Sequence, residues 1–226
     1  MNSASAPVRA CGQCATAVAP GPAIARIEAR PPPTIYDDCM ARLQIAQDPV
    51  ADELLSTDAF ALVTGMLLDQ QFPMERAFAG PAKIVERFGS LDPEAIAAAD
   101  PEAFADMCAT PPAVHRYGRS MAGRIQELAK IVVDEYDGDT ESIWTTATTG
   151  KELFSRIRAL PGFGEQKAKI FTALLAKQLD VKPSGWTTVT GDYGRKGFRS
   201  VADVVDGDSL IKVREFKKAA KAAAKK

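Results

Sequence analysis

Residues 154–175 read FSRIRALPGFGEQKAKIFTALL, two helical segments joined by a very short turn. The turn Leu160-Pro161-Gly162-Phe163-Gly164 ends the first segment and lets the second begin at once. Gly162 and Gly164 permit the positive φ values of a tight turn and carry no side chain that would keep another backbone away. The unpaired amides that open the second helix favour an anion. The stretch therefore predicts a phosphate-binding turn, with Lys167 and Lys169 close behind it.

This pattern resembles the helix-hairpin-helix of the base-excision DNA glycosylase superfamily. A second motif lies upstream, where residues 60–78, FALVTGMLLDQQFPMERAF, are similar to that superfamily's first core helix, which usually ends in Leu-Ser-Gln-Gln-Thr. Phe88-Gly89, residues 91–94 and residues 113–133 are similar in order and spacing to the helices between the motifs. A hairpin alone also occurs in ligases, nucleases and polymerase accessory domains, so two motifs in the right order are the stronger evidence.

The resemblance covers roughly residues 40–186 and implies an all-α, two-lobed helical fold with a central cleft. It also implies a DNA-repair activity on double-stranded DNA by a monomer. Such glycosylases extrude a damaged or mismatched base and stabilise the positive charge that grows on the sugar as the N-glycosidic bond breaks. Two alternatives remain open: a lesion-binding protein that has lost catalysis, and a structural DNA-binding protein that extrudes no base.

By this resemblance, Gln70 and Gln71 are candidates for the wedge that replaces the extruded base, because an amide can bond an orphaned base on either edge. A capped helix end with two solvated glutamines is the alternative. Phe72 stands where the common motif has Thr, and Asp69 stands where it has Ser. Both departures alter the mouth of the expected base pocket.

The resemblance further implies that the hairpin residues bind one DNA strand; they are Leu160, Gly162, Phe163, Gly164, Gln166, Lys167 and Lys169. In relatives that cut the backbone, a lysine two residues after the second glycine forms a Schiff base with the sugar. Gln166 occupies that position here. Lys167 is turned from it by about 100° on a helix and should face elsewhere, towards a phosphate. We therefore expect a monofunctional enzyme.

The superfamily's catalytic aspartate should lie roughly two dozen residues past Leu160, at the start of the next helix. That position falls on residues 184–186, which contain no carboxylate. Asp192 would fit only if the intervening loop were longer than usual, Asp180 comes too early, and Asp69 adjoins the wedge pair. Asp192 and Asp69 are thus the two catalytic candidates.

Three further residues are candidates for the base pocket. Trp186 and Tyr193 could stack on an extruded base or simply pack their loop down. His115 is the chain's single histidine, which excludes a multi-histidine metal site. It falls where related proteins place an aromatic residue beside the minor groove, although a structural role is the alternative.

The cysteines bear on cofactors. Cys11 and Cys14 have metal-ligand or redox spacing but no partner pair, while Cys39 and Cys108 are isolated. Some related glycosylases hold an iron–sulfur cluster with four cysteines after the domain, and no cysteine follows Cys108, so that cluster is not expected. We expect no metal site and no required cofactor, apart from the monovalent cation that the resemblance allows at the hairpin.

Charge is unevenly distributed along a chain of net charge -1. Residues 1–150 carry 11 Lys+Arg against 21 Asp+Glu, whereas residues 151–226 carry 17 against 8. This segregation suits a protein that meets a polyanion with one face, although a lysine-rich solubilising tail explains part of it. No segment suggests a membrane span or a secretory signal, so a cytoplasmic, nucleoid-associated protein is expected.

Three regions are expected. Residues 1–39 hold 6 of the 15 prolines and show no periodicity, which predicts a disordered extension or a start of translation at Met40. Residues 40–210 form the glycosylase-like domain and residues 211–226 a basic helix or tail. Helices are expected near residues 49–56, 58–70, 74–88, 93–99, 101–108, 120–136, 139–147, 150–160, 164–179 and 208–222, with residues 181–199 mostly loop.

Overall fold

The computed structural model describes residues 43–223. The proposed extension, with Cys11, Cys14 and Cys39, lies outside the described residues. Within them the fold is all-α, as predicted, and none of the helices is both long and apolar enough to span a bilayer. The helices are α1 Pro49–Thr57, α2 Ala59–Leu68, α3 Met74–Phe78, α4 Gly80–Phe88, α5 Pro93–Ala98, α6 Pro101–Ala109, α7 Gly118–Tyr136, α8 Ser142–Thr145, α9 Gly150–Ala159, α10 Glu165–Gln178, α11 Trp186–Thr190 and α12 Gly207–Ala223.

Aspartate–proline pairs start three of these helices. The carboxylates of Asp48, Asp92 and Asp100 accept hydrogen bonds from the amides of Ala51, Glu94 and Ala103, at 2.9, 3.1 and 2.8 Å. Each proline follows at the first helical position, where its missing N–H costs nothing. The predicted starts of α1, α5 and α6 are therefore confirmed.

Helix α2 lies at the centre of the fold. Every residue from Phe60 to Leu68 is buried, so the helix is apolar on all sides. Asp58 caps its first turn by accepting from the amide of Ala61 at 2.8 Å. A helix buried all round can present function only at its ends, and its C-terminal end leads into Asp69.

Helices α7 and α10 pack around this centre. Helix α7 contacts α5, α6 and α2, while α10 contacts α9, α11 and two 3₁₀ turns at residues 191–194 and 201–203. Phe171 to Ala176 of α10 are all buried. The start of α10 reaches the end of α2 through Lys167, whose Nζ donates to the Leu67 carbonyl at 2.9 Å, and this contact brings the two sequence motifs together.

One helix prediction is corrected. The segment 74–88 is two helices, because Pro81 lacks the amide that would continue α3 and its ring would clash with the preceding turn. The segment 181–199 is loop over just more than half of its length, as predicted, and it also contains α11 and the 3₁₀ turn Gly191–Gly194. Its glycines act as helix boundaries there: Gly185 precedes α11 with φ 78° and Gly191 ends it.

Candidate active site

The hairpin turn joins α9 to α10, and its two glycines have different roles. Gly162 has φ 75°, and a Cβ built on it would lie 2.7 Å from Cδ1 of Leu67 in α2. Gly164 has φ -75°, so the expectation of a positive φ there is wrong. A Cβ on Gly164 would touch nothing within 4 Å. Gly162 is therefore required by the protein itself, whereas Gly164 leaves open space in front of α10.

The side chains of Leu160 and Phe163 lie in the core and not on the surface. Leu160 ends α9, and Phe163 packs edge-to-face against Phe171 with ring centroids 5.8 Å apart. The amide of Phe163 donates to the carbonyl of Leu160 at 3.1 Å. These two residues shape the turn, so any contact that they make with DNA is restricted to their backbone.

The first turn of α10 carries one ion pair at the surface. Nζ of Lys169 lies 2.6 Å from Oε1 of Glu165, and this partner lowers the pKa of the Glu165 carboxyl. The positive charge of Lys169 thus offsets the negative charge of the Glu165 carboxylate, which lies near the amides of the helix N-terminus. The geometry remains suited to an anion such as a phosphate.

Residues 69–73, which we call the wedge loop, follow α2 directly. The Gln70 side chain is fully occupied: Nε2 donates to the Leu67 carbonyl at 2.8 Å, and Oε1 accepts from Arg124 at 3.0 Å. Gln71 is exposed and has φ 52°, a left-handed conformation that is costly for a residue with a side chain. The structure therefore separates the two wedge candidates, with Gln71 as the one that faces outward.

His115 packs against the wedge loop and is hydrogen-bonded to it. The side chain is buried, and its Nδ1 accepts a hydrogen bond from the amide of Tyr117 at 3.1 Å. Because Nδ1 is the acceptor, the ring proton is on Nε2, which donates to the Gln70 carbonyl at 3.1 Å. Burial lowers the pKa of the His115 imidazole. Its ring also packs on Phe72, with centroids 4.7 Å apart. Since both nitrogens are used, His115 is a positioning residue for the loop and has no free polar atom for a base.

Phe72 and His115 nevertheless line a cavity of about 580 Å³ beside the wedge loop. Three cationic residues contribute to its walls: Arg76, Lys83 and Arg116. Arg116 also donates to the Gln71 carbonyl at 3.5 Å. The cavity could accommodate a base-sized group, with Phe72 as its aromatic wall.

Asp69 is the first residue of the wedge loop, and the charges of one lysine on α10 and one on α12 act on it. It is partly buried, and burial raises the pKa of its carboxyl, against the opposing charges of Lys217 and Lys167. Nζ of Lys167 donates to the Leu67 carbonyl at 2.9 Å. Burial lowers the pKa of Lys167 to about 8, although Asp69 opposes that shift. Lys167 thus faces away from Gln166, as predicted, but it points towards Asp69 and α2 and not outward to a phosphate.

Asp192 is placed differently. Helix α11 begins at Trp186, where the count from the hairpin puts the superfamily's aspartate, so the longer loop that Asp192 would require is absent. Asp192 lies beyond the end of α11 and is exposed, with its Oδ1 2.9 Å from NH1 of Arg195. Asp180, also exposed, pairs with Lys182. Of the three candidate carboxylates, Asp69 alone belongs to the wedge loop, and it alone is not exposed.

Comparison with known families agrees with this geometry. The family model of the HhH-GPD superfamily base excision DNA repair protein matches residues 64–224, which include the wedge loop and the hairpin. The chain belongs to the HhH-GPD superfamily. The resemblance drawn from the two motifs is thereby confirmed. Searches of curated proteins and of solved structures found no match.

Around the start of α11, this HhH-GPD protein has aromatic residues in place of a carboxylate. A Cβ on Gly150 would lie 2.5 Å from the Trp186 backbone, and one on Gly194 would lie 3.2 Å from the indole ring. Gln166 donates to the hydroxyl of Tyr193 at 2.8 Å. Trp186 is therefore half-buried beside two glycines, and Tyr193 is hydrogen-bonded to the hairpin helix.

Sequence reasoning did not identify three basic residues of the site. Arg124 donates a hydrogen bond to Gln70, and Arg116 donates one to the carbonyl of Gln71. Lys217 of α12 acts on Asp69 through its charge. Each lies on a different segment from its partner, so no local pattern connects them. The basic character of α12 was visible, but a lysine-rich solubilising tail explains it equally well.

Within residues 43–223, no group of three or more His, Cys, Asp or Glu side chains is arranged to hold a metal ion. Cys108 is free and buried, and burial raises the pKa of its thiol to about 11. A monovalent cation at the hairpin would have to be bound by backbone carbonyls, and it stays a prediction.

Proposed function

We propose that this HhH-GPD protein is a monofunctional DNA glycosylase of base-excision repair, with Asp69 as its catalytic carboxylate. The observation that carries the proposal is the position of Asp69, two residues before the exposed Gln71 and within the electrostatic reach of Lys167 and Lys217. It acts as a monomer on double-stranded DNA, in the cytoplasm and at the nucleoid.

Binding begins at the hairpin. The free amides at the start of α10 hold a phosphate of one strand, and the open space at Gly164 lets the backbone approach closely. Gln71 enters the stack where the target nucleotide leaves, while Gln70, Arg124 and His115 hold the wedge loop in position.

Cleavage then requires a negative charge close to the sugar. As the N-glycosidic bond breaks, positive charge grows on C1′ and its ring oxygen, and the Asp69 carboxylate stabilises it. The neighbouring ammonium groups of Lys167 and Lys217 favour the ionised form of that carboxylate and oppose the burial that raises its pKa. Water completes the reaction, since Gln166 replaces the Schiff-base lysine of strand-cutting relatives.

The experiment is single-turnover base release over a panel of lesion and mismatch duplexes. Asp69→Asn should keep lesion binding and lose about a hundredfold or more in the rate of release. Asp192→Asn, an exposed carboxylate of the same type, is the matched control and should release at the wild-type rate. Release that survives Asp69→Asn would overturn the assignment.

A lesion-binding protein without catalysis is the second candidate function. It is favoured by one observation: Trp186 stands at the helix start where the superfamily's aspartate is expected. This candidate predicts tight binding to a lesion duplex with no base release by the wild type on any substrate.

A further inference from the structure

Two exposed phenylalanines, one in a loop and one on α12, lie close to each other's segments. Phe198, in the loop 195–199, is 40% exposed, and Phe216, on α12, is 41% exposed. Each ring carries a cation from the other segment: Nζ of Lys212 lies 4.9 Å from the Phe198 centroid, and Cζ of Arg199 lies 5.6 Å from the Phe216 centroid. We call Phe198, Arg199, Lys212 and Phe216 the C-terminal patch.

The patch is held firmly by its surroundings. Nζ of Lys177, in the last turn of α10, donates to the Arg195 carbonyl at 2.7 Å and pairs with Asp203 at 2.6 Å. The carboxylate of Asp203 in turn accepts from the amides of Arg199 and Ser200, at 2.8 and 3.2 Å. Phe198 is therefore presented by an anchored loop, so a ligand would order little of the chain on binding.

The charge of this region suits a polyanion. Residues 195–221 carry eight Lys+Arg against four Asp+Glu. Two of these four carboxylates have partners within the protein. Asp203 forms an ion pair with Lys177, and Asp206 accepts a hydrogen bond from the amide of Ser209. Nε of Arg199 is buried and has no hydrogen-bond partner within residues 43–223. The patch thus offers aromatic faces and cations side by side.

We propose that the C-terminal patch binds unpaired nucleotides of DNA, as a second site in addition to the hairpin. Aromatic faces stack on bases while neighbouring cations hold the phosphates. In an intact duplex each base is already stacked on its neighbours, so exposed phenylalanine rings stack more readily on an unpaired strand. The inference rests on the proposed function for its partner, DNA, and predicts a preference for substrates with a single-stranded flank.

The test measures fluorescence anisotropy with a labelled single-stranded dT12 and with a blunt, undamaged duplex. Phe198→Ala with Phe216→Ala should weaken binding to dT12 by about tenfold or more, because base stacking is lost. Binding to the blunt duplex should change less than about twofold, since phosphate contacts remain. Phe198→Trp with Phe216→Trp should restore binding to dT12, which separates stacking from folding.

Val205→Ala with Ile211→Ala is the matched control, because these side chains are apolar and 55% and 53% exposed. It should bind both DNAs like the wild type. Unchanged dT12 affinity in the phenylalanine-to-alanine variant overturns the proposal. An acidic protein would then be the alternative partner of the patch. Equal losses on dT12 and duplex overturn it as well, because they indicate a general cationic surface.

Failure of this inference is distinguishable from failure of the proposed function. Base release from a blunt lesion duplex that depends on Asp69, combined with dT12 binding that ignores both phenylalanines, rejects the patch alone. Phenylalanine-dependent dT12 binding without release on any lesion rejects the glycosylase and supports the patch.

Discussion

Lys167 on α10 donates a hydrogen bond of 2.9 Å to the carbonyl of Leu67, in the last turn of α2. This contact joins the two motifs that define the family, and it places the ammonium group of Lys167 beside Asp69. The ammonium also lies 5.6 Å from the centroid of the Phe163 ring in the hairpin. One side chain thus links the hairpin, the central helix and the candidate carboxylate.

We predict that Lys167 makes stability depend on pH in the alkaline range. Its pKa is about 8 in the folded protein, below the ordinary 10.5. Between these values the unfolded chain holds a proton that the folded protein has released, so the free energy of unfolding rises with pH. The ceiling is about 3 kcal/mol, since each pKa unit corresponds to about 1.4 kcal/mol and the group is partly solvated. Urea unfolding at pH 7.5, 9 and 10.5 should show this rise in the wild type relative to Lys167→Met. Parallel curves for the two proteins would contradict it.

The two hairpin glycines should respond in opposite ways to alanine. Gly162→Ala is expected to destabilise the fold by about 1–3 kcal/mol, because it combines a positive φ with a clash against Leu67. Gly164→Ala should leave the free energy of unfolding almost unchanged and weaken binding to damaged and undamaged duplexes alike, because its Cβ would occupy the space in front of the helix amides. Thermal melting and anisotropy measure the two effects. If Gly164→Ala binds DNA normally, the phosphate-binding role of the hairpin is rejected.

Alanine substitutions of Gln71 and Gln70 should also have different effects. Gln71→Ala is expected to reduce the ratio of lesion to undamaged affinity without changing the melting temperature, because an exposed wedge acts only once a base is displaced. Gln70→Ala should instead lower stability by about 1 kcal/mol, since it removes the partner of Arg124. Equal losses of affinity on both duplexes in Gln71→Ala would identify it as part of the helix end alone.

Borohydride trapping tests the monofunctional assignment. With an abasic-site duplex, no covalent adduct is expected. Gln166 cannot form a Schiff base, and Nζ of Lys167 is engaged in a hydrogen bond to the Leu67 carbonyl. Denaturing electrophoresis after reduction reports any adduct. An adduct in the wild type that disappears in Lys167→Met would identify Lys167 as a nucleophile and make the enzyme bifunctional.

Local signals in the sequence predicted most of the fold. The pairs Asp48-Pro49, Asp92-Pro93 and Asp100-Pro101 fix helix starts through contacts with amides two or three residues away, so no tertiary information is needed. The hairpin was recognisable for the same reason. The break between α3 and α4 was missed although Pro81 signals it, because the apolar periodicity continues across the break.

The sequence by itself therefore determined the all-α class, the family and the position of the hairpin, because glycine, proline and capping residues act on their own neighbours. Only the tertiary structure decided which lysines approach Asp69, which glutamine is exposed and where Lys167 points. Asp69, Lys167 and Lys217 lie in the wedge loop, α10 and α12, and their proximity arises from the packing of a common core. No periodicity along the chain encodes such a distance, because burial of apolar faces fixes how helices pack and leaves the polar residues at their ends to meet as a consequence.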